Sequence, residues 1–239
     1  MTSGTSLYHE YYLQCEHPLL YAAPWWLDAV CGKEKWGVVA KFDQYAKPVS
    51  FTPYYKTHLR GMSALITPPF TQWLPELRKE NAEPFALDEF INSLPASSIL
   101  DITLKAGKGE VAVSSNGYRI SFKYSYIIPY QEDYMLHKKK YNEGLRRNLK
   151  EAEKNYEITV SEDMDIFLRL CHSSYQQRNL KPPLWLKHVV SEVTCALKKN
   201  QCGILHLAMH RGFAIAGILT GWDSKTTYYL TGGRRGDEQ

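Results

Sequence analysis

The sequence predicts an α+β fold, with short strands in the first half and the order β-α-α-β-β-β in the second. Apolar residues make up 44% of the 239 positions and aromatic residues 13%, so the chain can bury a substantial core. Short apolar runs interrupted by Pro and Gly prevail up to about residue 130, whereas longer segments with helical periodicity follow. The pattern predicts an N-terminal domain at 1–130, a connecting helix at 131–155 and a C-terminal domain at 156–239.

The N-terminal part is predicted to contain short elements with irregular connections. Pro24 fits the first turn of a helix at 20–30, where its missing N–H costs no hydrogen bond. Asn116-Gly117 is the preferred pair for a type I′ turn and predicts a β-hairpin. The other predicted elements are a helix at 84–94 and strands at 36–42, 49–51, 63–66, 99–105, 111–113 and 118–120.

A basic segment follows the N-terminal part. Residues 138–154 contain seven basic and three acidic side chains, so this segment carries the entire net charge of +4. Its apolar residues recur mostly three or four positions apart, which predicts one amphipathic helix of about six turns over 131–155. Gly144 is its weak point, costing about 1 kcal/mol relative to Ala. The apolar positions are Tyr134, Tyr141, Leu145, Leu149 and Ala152.

The C-terminal part has a clearer pattern. A strand at 156–160 is followed by Ser161, a suitable N-cap, and by acidic residues that favour a helix start. This helix extends to about residue 178, and a second one runs from Pro182-Pro183 to about residue 200. Breaks at Arg211-Gly212 and Asp223-Ser224 are short enough for hairpins. They predict an antiparallel meander of strands 203–210, 213–222 and 226–231.

Several classes of protein are excluded by the composition. No apolar run approaches the ~18 residues of a membrane span, and the N-terminus lacks the pattern of a secretory signal, so we expect a cytoplasmic protein. The five cysteines form no Cys-x-x-Cys pair and are expected to be free thiols. His206 and His210 would lie ~13 Å apart on a strand, too far to share a metal ion, so no metal is expected.

Specific motifs resemble those of the GNAT superfamily, and in particular of Fem-like acyltransferases. The resemblance extends over nearly the whole chain and implies two tandem GNAT-like domains, of which the second ends after its fourth strand. The similar segments are Leu145-Arg-Arg-Asn-Leu-Lys-Glu-Ala-Glu-Lys154 with the extended run 156–160, then 205–208, 214–219 and Tyr228-Tyr-Leu-Thr-Gly-Gly233, and in the N-terminal part 20–28 and 67–72.

The resemblance implies transfer of an acyl group from acetyl-CoA or another acyl-CoA to an amine. Such a site needs a base for the amine proton and a donor for the oxyanion; no residue is identified as that base. The acceptor would be a small molecule or a peptidoglycan-precursor amine. Residues expected to bind the cofactor are Thr231, Gly232, Gly233, Arg234 and Arg235. Residues expected to bind substrate are Arg146, Arg147, Lys150, Tyr228 and Tyr229.

A GNAT domain normally continues beyond its fourth strand with a phosphate-binding helix and further strands. Because this sequence ends at Gln239, soon after that strand, we expect a truncated copy whose activity is doubtful. Two alternatives remain open. One is an aminoacyl-tRNA-dependent transferase acting on a peptidoglycan-type amine, and the other is a non-enzymatic basic binding module for nucleic acid or a protein.

Overall fold

The structure is a computed structural model and describes residues 4–79, 81–105, 119–130 and 132–236. A 3-10 turn at Leu20–Ala22 precedes the second helix. The helices within these ranges are α1 (Gly4–Gln14), α2 (Pro24–Cys31), α3 (Leu87–Ser93), α4 (Tyr134–Lys139), α5 (Glu143–Asn155), α6 (Met164–Gln177) and α7 (Leu186–Lys199). The strands are β1 (Trp36–Phe42), β2 (Pro48–Leu59), β3 (Met62–Ile66), β4 (Leu77–Arg78), β5 (Ile99–Asp101), β6 (Glu157–Val160), β7 (Gly203–His210), β8 (Phe213–Trp222) and β9 (Thr227–Arg234).

The first sheet is built around the long strand β2. Strand β2 pairs antiparallel with β1 on one side, and with β3 and β4 on the other. Strand β5 then joins β3 in parallel, with Leu65 opposite Leu100. This mixture of strands with helices, together with the second sheet, confirms the predicted α+β class.

The second sheet has the order β6-β7-β8-β9, and all its pairs are antiparallel. The predicted meander of the last three strands is therefore confirmed. The register between β8 and β9 shifts once: Leu219 lies opposite Thr231, but Thr220 lies opposite Tyr229. Leu230 is thus an extra residue in β9, which defines a β-bulge in an edge strand.

One hydrophobic core joins the two sheets. It contains Tyr8, Trp26 and Phe51 from the N-terminal part and Phe167 and Leu219 from the C-terminal part, all at most 1% exposed. Helices α6 and α7 contribute to this core beside α2, so the N-terminal helices pack against the helices of the second sheet. Burial of these large apolar side chains is the main favourable term holding the two sheets together.

The predicted single helix over 131–155 is wrong. The structure has two helices, because Asp133 caps α4 and Asn142 caps α5. The Asn142 Oδ1 atom accepts a hydrogen bond from Leu145 N at 2.8 Å, which restarts the helix there. The helix break therefore falls at 140–142, just before Gly144.

Other predicted boundaries also differ from the structure. Helix α1 was not predicted, and the strand expected at 99–105 is limited to Ile99–Asp101 plus a bridge between Leu74 and Leu104. The N-cap of α6 is Asp163 instead of Ser161. Residues 111–118 of the predicted hairpin lie outside the described residues. No helix in the described parts of the chain is both long and apolar enough to cross a membrane.

Helix α6 approaches β9 most closely at Gly233. A Cβ atom built on Gly233 would lie 2.3 Å from Cys171 N and Leu170 C, both backbone atoms of α6. Backbone cannot move aside as a flexible side chain can, so only glycine fits here. This contact sets the distance between the helix and the strand.

We expect Gly233→Ala to lower the free energy of unfolding by about 2 kcal/mol or more, because the methyl group forces α6 away from β9. Gly144→Ala is the matched control: its Cβ would meet only Asn142 Oδ1, at 3.5 Å, and it should stabilise α5 by up to about 1 kcal/mol. Urea unfolding of the two variants measures both effects. Equal stability of Gly233→Ala and the unaltered protein would contradict the close approach.

Candidate active site

The candidate site lies along β9, the edge strand of the second sheet. The two faces of this sheet differ. The core face carries Leu205, Leu207 and Leu219, which are buried against the helices. The opposite face, called the outer face below, carries Ile158, Val160, Ile218 and Tyr229, which are 43–66% exposed. An exposed edge strand beside an apolar open face gives a ligand both backbone hydrogen-bonding groups and apolar surface.

The two adjacent tyrosines of β9 point to opposite faces. Tyr228 is 4% exposed and lies in the core, whereas Tyr229 is 60% exposed on the outer face. The sequence predicts this alternation but not which tyrosine is buried. The centroids of the Tyr228 and Tyr21 rings lie 4.6 Å apart in a tilted arrangement, and Tyr21 in turn contacts Trp73. Both tyrosines were predicted to contact substrate, but only Tyr229 is accessible to a ligand on the outer face.

The Asp223 carboxylate connects the turn before β9 to the N-terminal part. It accepts four hydrogen bonds: from the Tyr228 hydroxyl at 2.7 Å, from Leu20 N at 3.1 Å, and from Lys225 N and Thr226 N at 2.9 Å each. Burial, together with the bond to Asp223, raises the pKa of Tyr228, so its hydroxyl stays protonated as a donor. Sequence reasoning identified only a turn at Asp223-Ser224 and missed this role.

The C-terminal end of β9 is held by polar side chains of α6. Ser174 Oγ accepts a hydrogen bond from Arg234 N at 2.8 Å, and Gln177 Nε2 donates to Arg234 O at 3.2 Å. Ser173 Oγ accepts a hydrogen bond from Gly236 N at 2.8 Å. These three residues were also missed by sequence reasoning. The signal was available, since they are uncharged polar residues clustered on the last turns of an amphipathic helix.

The residues predicted to bind the cofactor are not arranged as expected. The sequence predicted a strand ending at Thr231 and a Gly-rich turn after it; instead, β9 continues to Arg234. Gly232 and Gly233 are strand residues that allow close packing: Gly233 lies under α6, and a Cβ on Gly232 would lie 2.8 Å from the Tyr229 hydroxyl. Arg234 and Arg235 are exposed at the end of the strand. Cofactor binding by Thr231, Gly232, Gly233, Arg234 and Arg235 stays a prediction.

The predicted basic substrate contacts lie on α5, away from β9. Arg146, Arg147 and Lys150 are exposed, and α5 leads into β6, the opposite edge strand of the sheet. Three strand spacings of ~4.8 Å separate β6 from β9, roughly 14 Å. The His210 ring, at the end of β7, contacts Asn155 O at 2.8 Å and fixes the C-terminus of α5 there. The predicted substrate residues therefore lie in two separate places, the three basic residues on α5 and the two tyrosines on β9.

His206 is a titratable side chain on the outer face. Its neighbours across the strands are Val160 and Ile218, and Ile218 pairs in turn with Gly232 of β9. The sequence suggested no role for His206 other than that of a metal ligand. In the described ranges, no cluster of three or more His, Cys, Asp or Glu residues is arranged to hold a metal ion.

The comparison with protein families agrees with this topology. Residues 139–238 match the family model described as an acetyltransferase (GNAT) domain. The match begins in the last residue of α4 and covers α5 and the whole second sheet. This region therefore has the features of the GNAT superfamily, which supports an acyltransferase activity in general. A search of curated proteins found no match to the chain.

We expect Asp223→Ala to lower the free energy of unfolding by about 3 kcal/mol, because buried donors lose their acceptor. Tyr228→Phe should cost about 1 kcal/mol, and the two effects should not add, since both remove the same hydrogen bond. Ser224→Ala is the control, because the Ser224 hydroxyl bonds only to the exposed His17 ring. Chemical denaturation measures the parent, the three single variants and the double variant Asp223→Ala/Tyr228→Phe. A cost for Asp223→Ala no larger than that for Ser224→Ala would show that the carboxylate is not a stabilising centre.

Proposed function

We propose that the chain is a Fem-like N-acyltransferase that transfers an acyl group from acyl-CoA to an amine. The observation that carries the proposal is the edge strand β9, with its bulge at Leu230, within the region that matches the GNAT family model. A bulge interrupts the regular ladder and re-aims backbone groups, and bulges are frequent beside active sites. The amide groups of a pantetheine arm can form hydrogen bonds to such an edge in the manner of an added strand.

The two arginines after β9 suit the diphosphate of CoA. Arg234 and Arg235 are exposed, and the backbone at this position is held by Ser173 and Ser174. A guanidinium group forms charge-assisted and often bidentate hydrogen bonds to phosphate oxygens. In this arrangement the diphosphate lies at the C-terminal end of β9 and the thioester lies further along the strand, toward the bulge.

The reaction is an attack of a neutral amine on the thioester carbonyl. The nitrogen lone pair forms the C–N bond, the C–S bond then breaks, and the CoA thiolate leaves and takes up a proton. The amine gives up a proton in the same sequence, so a base is required near the outer face. His206 is on this face, and Tyr229 of β9 carries an exposed hydroxyl there. We propose these two side chains as the first ones to test for proton transfer.

Acyl-CoA is an intracellular metabolite, so the proposed activity implies a cytoplasmic location. The five cysteines, all within the described residues, are free, which is the usual state in a reducing compartment. The acceptor class proposed is a small-molecule or peptidoglycan-precursor amine.

We expect acetyl-CoA to bind, and the double variant Arg234→Gln/Arg235→Gln to weaken that binding at least about tenfold by removing two phosphate contacts. Acetyl-pantetheine, which lacks the diphosphate, should bind the variant and the parent equally. The charge-matched control is Lys187→Gln/Lys199→Gln on the exposed surface of α7. Calorimetry gives the affinities, and thiol release in the presence of a panel of primary amines gives the turnover.

Two results would contradict different parts of the proposal. Unchanged acetyl-CoA affinity in the arginine variant would place the diphosphate elsewhere. No acetyl-CoA binding and no thiol release by the parent protein would reject acyl-CoA as the donor.

A second candidate donor is aminoacyl-tRNA, favoured by the exposure of α5. At 100° per residue, the basic side chains of Arg147 and Lys150 lie opposite the apolar stripe formed by Leu145, Leu149 and Ala152. The basic face can therefore contact a polyanion, whereas the apolar stripe is partly exposed, with Leu145 42% exposed.

We expect, under this candidate, that tRNA binding weakens steeply with salt, because phosphate contacts release counterions. The triple variant Arg146→Gln/Arg147→Gln/Lys150→Gln should reduce the slope of log K against log salt by about 2 to 3. The same α7 lysine variant serves as the control. A salt slope that is unchanged in the triple variant would exclude α5 as the nucleic-acid contact, and tRNA binding without acyl transfer would favour the non-enzymatic binding module.

A further inference from the structure

An open cavity of about 500 Å³ lies on the first sheet, outside the region that matches the GNAT model. Its volume is in the range of small-molecule sites. Strands β2 and β3 form its base, and the register places Lys56 opposite Leu65 and His58 opposite Ser63. Because side chains alternate along a strand, these four residues project to one face. The segments 34–35 and 95–97 form the two sides.

The base of the cavity is apolar and rigid. Leu65, on the same face as Lys56 and His58, is 3% exposed, and Ala64, on the opposite face, is 2% exposed, so both are fixed by packing. Ser63 at the rim accepts a hydrogen bond from Ser98 N at 3.1 Å, which ties the 95–98 segment to the end of β3. The cavity is therefore bounded by ordered backbone on both sides.

The charged side chains of the cavity are mostly basic. Lys35 and Lys56 line it together with a single acid, Glu34. The two lysines are held as neighbours, because Lys56 N donates a hydrogen bond to Lys35 O at 2.8 Å. Among the described residues, neither ammonium group forms an ion pair, and the Lys56 ammonium lies over the Tyr54 ring, 5.4 Å from its centroid. Two ammonium groups without a carboxylate partner, beside apolar side chains, match an anion with an apolar body.

The imidazole group of the cavity fits the same ligand class, because His58 offers a ring N–H. The Ser97 hydroxyl already donates to Ile99 O at 3.1 Å, so its role is to hold the side wall. A carboxylate placed between the lysines would gain charge-assisted hydrogen bonds. A short hydrocarbon chain attached to it would lie over Leu65 and against the exposed Pro95 and Ala96, and would remove part of the apolar surface of this wall from water.

We propose that this cavity binds a small carboxylate with an apolar chain, at a site separate from β9. Lys35 and Lys56 bind the carboxylate, and Leu65, Pro95 and Ala96 contact the chain. The site does not depend on the proposed acyltransferase activity, because none of its residues belongs to the second sheet.

The test compares three probes of the same length: hexanoate, hexan-1-ol and hexylamine. We expect hexanoate to bind at least about tenfold more tightly than hexan-1-ol, and hexylamine to bind most weakly, because only the carboxylate is attracted by both lysines. In two-dimensional NMR spectra, hexanoate should shift the backbone amides of residues 63–65 and 96–97. Calorimetry supplies the affinities.

The double variant Lys35→Gln/Lys56→Gln should bring the affinity for hexanoate down to that for hexan-1-ol, and its thermal unfolding should stay unchanged because both side chains are exposed. The control Lys187→Gln/Lys199→Gln should bind hexanoate as the parent does. The proposal is overturned if hexan-1-ol binds as tightly as hexanoate, if the lysine variant retains full affinity, or if the amide shifts fall on β9. Acetyl-CoA affinity, measured on the same variant, reports separately on the acyltransferase site.

Discussion

The arrangement of the two sheets depends on the Asp223 carboxylate. Its four donors come from three places: the N-terminal 3-10 turn, the β8–β9 turn and the Tyr228 side chain within β9. A carboxylate that accepts several hydrogen bonds is a strong local constraint, since any displacement leaves more than one buried donor without a partner. The entry of the N-terminal helices into the shared core and the start of the candidate active-site strand are thus fixed by one side chain.

Strand β9 is constrained differently along its length. Its beginning is held by Asp223 and its end by Ser173, Ser174 and Gln177 of α6, while Gly233 sets the helix-to-strand distance. The bulge lies between these fixed ends. A strand that is anchored at both ends can keep an irregular backbone in its middle, which is the requirement for presenting backbone groups to a ligand in one geometry.

Much of the second sheet could be predicted from sequence, because its signals are local. Helical periodicity gives α6 and α7, and the short breaks at 211–212 and 223–224 give the meander. The division of the predicted helix into α4 and α5 was missed, because the apolar repeat runs across the break. The two helix starts are indicated only by the N-caps Asp133 and Asn142. Helix α1 has weak periodicity and is fixed by tertiary contacts, such as the Tyr8 hydroxyl bonding to Ala22 O.

The candidate site was predictable as a strand but not in its details. Glycine pairs are depleted in strands, so Gly232-Gly233 indicated a turn; the contact with the α6 backbone, invisible in the sequence, reverses that preference. The placement of Tyr228 in the core follows from its bond to Asp223, which no local pattern reveals. The basic helix α5 lies far from β9 because it leads into β6, at the opposite edge of the sheet. This strand order depends on pairing between residues distant in sequence.

The bulge at Leu230 has a consequence for how this strand tolerates changes in length. On either side of Leu230, Thr231 pairs with Leu219 and Tyr229 pairs with Thr220. Leu219 and Thr220 are consecutive residues of β8, so β9 without Leu230 would form an uninterrupted ladder. Tyr228 would still face the core and Tyr229 would still face outward. Leu230 is thus a one-residue insertion that leaves the faces of the sheet unchanged. What it alters is the path of the backbone at the edge, and a homologous strand lacking it would have a straighter edge and one buried leucine fewer in the core.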